Sequence, residues 1–205
     1  MNGRLGIYLS EFIGSFFILF FGCGSIMMFQ VQPEVIDPIT IPFIFGGTMM
    51  LMIYTLGNIS GGHFNPAVTI AFWAVKKFPT KHLFGHILSQ FWGYSFAVLV
   101  LNIIWNLTDN DFGVTKVMLD FEIGFAFEFF MSFLMMLVIS SVAKGHKIMG
   151  EKAGTAVGLS IFLSHLVAGP LTGASMNPFR SLVPAFALRD FTDIWLYIVA
   201  PILGC

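Results

Sequence analysis

Charges and turn residues cut this chain into six apolar blocks, at roughly 5–29, 39–59, 84–107, 119–143, 153–169 and 193–205, and few folds are open to such a pattern. A helix needs about 20 apolar residues to cross a hydrocarbon core of about 30 Å. Six spans with short connections use nearly all of the 205 residues, leaving no room for a separate catalytic or binding domain. With 57% of residues hydrophobic, 10% charged and a mean hydropathy of +0.85, a soluble fold is excluded. Leu5 to Phe29 follows the lone basic residue Arg4 and is too long for a signal-peptide core, so it is expected to be retained as the first span.

Two shorter apolar segments, Asn65 to Val75 and Asn177 to Leu188, stand between the second and third and between the fifth and sixth blocks. A helix of that length reaches about 16 to 18 Å, roughly half the membrane. The expected fold is therefore an all-α membrane protein of six transmembrane helices plus two half-spanning re-entrant helices.

The connections sort by charge. Arg4, then Lys76, Lys77 and Lys81, then Lys144, Lys147 and Lys152 fall on one side of a six-span arrangement. Basic residues mark the cytoplasmic side, so the N-terminus is expected to be cytoplasmic, in a plasma or inner membrane. Glu34, Asp37, Asp109, Asp111, Asp120, Glu122, Asp190 and Asp193 fall on the other side, opposed by Lys116 and Arg189.

The chain repeats itself. Glu11-Phe-Ile-Gly-Ser-Phe answers Glu128-Phe-Phe-Met-Ser-Phe, and Gly-Gly-His63-Phe-Asn65-Pro66-Ala67 answers Gly-Ala174-Ser-Met-Asn177-Pro178-Phe179, at separations of 128 − 11 = 117 and 177 − 65 = 112 residues. Three spans per half is an odd number, so the halves, roughly 5–107 and 119–205, form an inverted 3+3 repeat within a single transmembrane channel domain of 1–205. Paired interrupted segments in such repeats point to the functional site.

Each Asn-Pro can open a half helix, because proline lacks only a donor that is free in the first turn and asparagine caps well. Entering from opposite faces, the two helices would meet N-terminus to N-terminus near the midplane. Their dipoles would place about half a positive charge each there, which repels cations and hydrated protons. The Asn65 and Asn177 amides can donate to a passing water oxygen and interrupt a proton-conducting chain. The chemistry implied is a passive pore for water or a comparably small uncharged molecule.

At these motifs the chain resembles the aquaporin family of major intrinsic proteins, over about Glu11 to Gly204, with Gln90 and Gly93 of the third span included. The resemblance implies a constriction made by Phe45, His165, Ala174 and Arg180, similar to the water-selective pattern. Glycerol-conducting relatives usually carry a small residue at the position of His165 and an aspartate where Ser181 stands. The resemblance also implies a homotetramer with one pore per subunit, and a structural role for the buried acids Glu11 and Glu128. His63 is expected to line the cytoplasmic half of the pore.

Three features depart from that pattern. Phe179 replaces the usual alanine and could shift the second half helix or narrow the pore; Val183 stands where a glycine is common. The last block ends about 13 residues and 20 Å in, so the sixth span is expected to be truncated or abnormal.

The remaining patterns are bland. Gly154-x-x-x-Gly158 reads as close helix packing, and Asn106-Leu107-Thr108 is a formal glycosylation sequon abutting a span. Cys23 and Cys205 match no redox or metal spacing, and the chain holds no HExxH or GxSxG. No cofactor, no enzymatic activity and, at a net charge of -1 without a basic cluster, no nucleic-acid partner is expected. The competing readings are a glycerol or small-solute facilitator, a coupled secondary transporter in which Glu11 and Glu128 relay protons, and a non-conducting structural protein blocked by Phe179.

Overall fold

The structure, a computed structural model, describes residues 3–105 and 111–205; the sequon and Asp109 lie outside them. Eight helices follow one another among these residues: α1 (Arg4–Val31), α2 (Thr40–Ser60), α3 (Pro66–Ala74), α4 (Thr80–Trp105), α5 (Phe121–Val142), α6 (Ala153–Thr172), α7 (Pro178–Leu188) and α8 (Ile194–Gly204). Helices α1, α2, α4, α5 and α6 are each long and apolar enough to cross a membrane. Helix α8 has 11 residues, a rise of about 16 Å.

The molecule is apolar outside and polar within. Leu51, Ile103, Phe130 and Leu137 stand more than half exposed, while Ser15, Glu11, Gln90, Glu128, Ser132 and Arg180 are at most 2% exposed. Water would reverse that distribution; a lipid surround accounts for it.

Helices α2 and α6 cross where glycines remove the side chains. A Cβ on Gly158 would stand 2.6 Å from the Gly46 carbonyl oxygen, and one on Gly46 would run into the Gly158 carbonyl. Gly154 lies 2.9 Å, by the same measure, from the Met50 carbonyl. The Gly154-x-x-x-Gly158 pair therefore packs backbone against backbone, the way small residues bring membrane helices together.

The inverted repeat is visible in matched contacts. A Cβ on Gly93 of α4 would meet the Phe12 carbonyl and the Ser15 Cβ, the latter at 2.9 Å; on Gly204 of α8 it would meet the Phe129 carbonyl and the Ser132 Cβ, again at 2.9 Å. Both partners move by 117 residues, the separation of the two glutamates. As far as Gly204, α8 thus packs on α5 as α4 packs on α1.

One element has no sequence signal. Strands β1 (Ala143–Lys144) and β2 (Lys147–Ile148) form an antiparallel hairpin in the basic connection between α5 and α6. The Ile148 side chain is 1% exposed and its N–H donates to the Gly61 carbonyl at 2.8 Å, while Lys147 Nζ donates to the Asn58 carbonyl at 3.0 Å. The hairpin is thereby pinned to the C-terminal end of α2.

Candidate functional site

Both Asn-Pro pairs open half helices as the sequence requires. Asn65 and Asn177 have extended backbone (φ −154° and −149°), with proline at the first helical position, and their Oδ1 atoms accept the N–H of Ala67 at 2.9 Å and of Phe179 at 3.1 Å. The amide nitrogens then cross between the repeats. Asn65 Nδ2 donates to the Met176 carbonyl at 2.8 Å, and Asn177 Nδ2 donates to the Phe64 carbonyl at 3.1 Å. The two helix N-termini, and their positive dipole ends, are thus held together inside the protein.

The preceding loops are held by the repeat glutamates. Glu11 accepts the N–H of His63 at 3.2 Å and of Phe64 at 2.8 Å, together with Gln90 Nε2 at 2.7 Å. Glu128 accepts the N–H of Ser175 and of Met176, both at 2.8 Å, and Thr172 Oγ1 at 2.7 Å. Turning the loop takes left-handed backbone at Gly61, Gly62 and Phe64 in one repeat and at Gly173, Ala174 and Met176 in the other. A carboxylate buried in lipid-depth protein is tolerable when each oxygen is used this way.

Phe45, His165 and Arg180 come together on the acidic side of this junction. The Phe45 and His165 rings stack with centroids 4.2 Å apart, and the Arg180 guanidinium carbon lies 5.3 Å from the Phe45 ring centre. Gly22 of α1 makes room for the Phe45 ring, because a Cβ there would collide with it. Arg180 Nη1 donates to the Gly113 carbonyl at 2.7 Å, which fixes the side chain from the connection before α5. His165 Nδ1 donates to the Ile161 carbonyl at 3.0 Å, so the neutral ring keeps its Nε2 lone pair. His165 Nε2 and Arg180 Nε are buried without a hydrogen-bond partner among the described residues.

His165 and Arg180 line two cavities at once. Outside them is a vestibule of about 670 Å³ that also touches Ile26, Asp37, Lys116 and Gly173. Inside is a cavity of about 20 Å³ bounded by Phe45, Asn65, Met176 and Asn177 among others. About 10–15 Å³ of such volume admits one water, so the inner space is of single-molecule width.

The other expected site residues fall as follows. Ala174 is fully buried with φ 45° and lines neither cavity, and Ala67 is buried in the first turn of α3. His63 is 1% exposed; its Nε2 donates to the His146 carbonyl at 2.8 Å, so the hairpin covers it. Phe179 does not narrow the cavity. Its ring turns to α4, 5.6 Å from Phe91 and 6.5 Å from Tyr94 between centroids. Val183 is 5% exposed within the core, so the packing of α7 accommodates it. Sequence reasoning passed over Gly113, which anchors Arg180, and Tyr94, whose hydroxyl reaches the junction; a single tyrosine in an apolar run carries no positional signal.

This arrangement has counterparts among known proteins. The family model of the major intrinsic proteins matches residues 3–205. The chain belongs to the major intrinsic protein family. Similar members include aquaporin NIP1-1 of Arabidopsis thaliana, 39% identical over 96% of this chain and 69% of that protein. Nodulin-26 of Glycine max is 38% identical, and a probable NIP-type aquaporin of Nicotiana alata 42%, each over 96% of this chain and 72% of the relative. Among solved structures, the aquaglyceroporin of Plasmodium falciparum superimposes with a TM-score of 0.87 over 98% of this chain and 92% of that one, at 22% identity, which shows a common fold. As a major intrinsic protein the chain is an integral membrane channel for small solutes.

Proposed function

We propose that this channel conducts water down an osmotic gradient and excludes protons and ions, with Phe45, His165 and Arg180 as its selectivity filter; Ala174, which the family resemblance adds to that set, is buried behind it. The observation that carries the reading is the close stack of Phe45 on His165 beside a fixed Arg180, next to a cavity wide enough for one water. A desolvated water needs its lost hydrogen bonds replaced. Arg180 Nε and the Asn65 amide offer donors, and His165 Nε2 an acceptor. The buried guanidinium and the paired helix N-termini oppose cations.

A second reading, passage of glycerol-sized neutral solutes, is favoured by the roomy, largely apolar vestibule outside His165. Light scattering of proteoliposomes after an osmotic step separates the two. Fast shrinkage with no glycerol entry supports the filter as stated; glycerol entry overturns its selectivity.

Orientation and assembly belong to the same proposal. The hairpin holding Lys144 and Lys147 meets the end of α2, on the side opposite Asp37 and Lys116 of the vestibule, a sidedness that supports a cytoplasmic position for the basic connections and the N-terminus. Four copies, each with its own pore, form the unit the family resemblance implies; cross-linking in the bilayer tests it.

A further inference from the structure

Among the places where the inverted repeat is unmatched beside the junction, Tyr94 reaches both halves. Gly93 and Gly204 are repeat mates by their contacts, so the next residues, Tyr94 and Cys205, are mates as well. Cys205 Sγ stays local, 3.8 Å from the Ser132 carbonyl. Tyr94 is fully buried and reaches farther: its hydroxyl donates to the Phe64 carbonyl at 2.9 Å and accepts from Asn177 Nδ2 at 2.8 Å. Phe64 O, Tyr94 Oη and Asn177 Nδ2 therefore close a triangle, the third side being the 3.1 Å bond from Asn177 to Phe64. Asn65 has no equivalent. Its amide meets one protein acceptor among the described residues, the Met176 carbonyl, and keeps a hydrogen for the small cavity that both asparagines line.

We propose that Tyr94 is a positioning residue of the channel: its hydroxyl competes with the permeating molecule for the Asn177 amide, so that Asn65 is the principal donor to the permeant at the junction. The Asn177 amide nitrogen has two protein acceptors within hydrogen-bond distance, Phe64 O and Tyr94 Oη, against one for that of Asn65 among the described residues. A water in a cavity of single-molecule width cannot replace the bond it loses from other waters, so the strength of each wall donor enters directly into the barrier. Phe179 neighbours the arrangement, with its ring 6.5 Å from that of Tyr94 and outside the cavity lining. An alanine there would leave the Tyr94 ring without that neighbour.

The inference rests on the proposed passage of water, and two measurements on the full chain keep the two apart. The first is water flux per reconstituted copy of Tyr94→Phe, which keeps the ring and removes the hydroxyl. Returning one hydrogen bond to the permeant raises the unit permeability by about twofold to tenfold; an unchanged or lower value from folded protein overturns the proposal. The second is the side-chain amide resonances of Asn65 and Asn177 in isotope-labelled protein. Tyr94→Phe is expected to move the Asn177 signal and leave that of Asn65 in place, which a purely structural loosening would not do. Equal movement of both, or of neither, overturns it, and this readout stands even if wild-type liposomes prove impermeable and the water reading fails. Should Tyr94→Phe not fold, exchange of the wild-type amides decides alone: Asn65 hydrogens are expected to exchange with solvent faster than those of Asn177, and equal rates contradict the assignment.

Discussion

Phe45 and His165 stack with their planes 20° apart and their centroids at 4.2 Å, although 120 residues, 165 − 45, separate them in the chain. The contact exists because Gly46, next to Phe45, brings α2 onto Gly158 of α6, seven residues before His165. The proposed filter and the helix packing are therefore coupled: the glycine crossing sets how far apart the two rings can stand.

Replacing His165 by glycine removes one wall of that stack. The variant is expected to admit glycerol at a rate roughly tenfold or more above the parent while still passing water. Stopped-flow shrinkage in a glycerol gradient reads this directly, and continued exclusion of glycerol would place the constriction elsewhere.

Gly158→Val attacks the crossing itself. Its Cβ would lie 2.6 Å from the Gly46 carbonyl and 2.8 Å from the Met50 Cβ, and neither backbone can yield without separating α2 from α6. Overpacking of this kind costs about 1–3 kcal/mol. A lowered melting temperature in detergent is expected, and an unchanged one would show that the helices are not in backbone contact.

Glu128→Ala leaves the N–H groups of Ser175 and Met176 and the hydroxyl of Thr172 without their acceptor. Each buried orphan costs about 1–3 kcal/mol, so the variant is expected to express poorly or to melt well below the parent. Glu128→Gln keeps one acceptor oxygen and restores part of the loss. If Glu128 instead relayed protons, Gln would fold normally and abolish proton-driven uptake of a solute; no such uptake is expected from the parent.

The hairpin carries a pH dependence. Burial, with the nearby charge of Lys147 and the neighbouring His86 and His82, pushes the His146 imidazole below its ordinary value of 6.5, against a bond with the Lys77 backbone that raises it. A base whose pKa is depressed by docking takes up a proton more readily undocked, so docking is at full strength above about pH 6.5 and weakens as pH falls through the lowered value. The protection factor of the Ile148 amide, which donates to Gly61, is expected to drop between about pH 8 and about pH 5. His146→Gln should flatten that change. A flat profile in the parent would separate the hairpin from His146.

Most of the fold is legible in the sequence because membrane helices announce themselves by length and apolarity, and the half helices by Asn65-Pro66 and Asn177-Pro178. The inverted repeat could be read from two short echoes, since a pseudo-symmetric fold must repeat the residues that hold its loops. What could not be read depends on direction or on contacts remote in sequence. Phe179 follows Asn177-Pro178 as Ala67 follows Asn65-Pro66, and only the structure shows that its ring stands by Phe91, outside the cavity lining. Strands of two residues have no periodicity, so the hairpin at Ala143–Ile148 looks like a basic connection. Gly113 serves through a carbonyl, which any residue type would supply.

The most direct test is the osmotic one. The purified chain, reconstituted into liposomes, is expected to shrink them with a low activation energy in a sucrose gradient, to exclude glycerol, and to leave a proton gradient intact, while Arg180→Val loses part of that exclusion. Shrinkage no faster than that of empty liposomes, from protein shown to be folded, would contradict the proposal that Phe45, His165 and Arg180 enclose a water path.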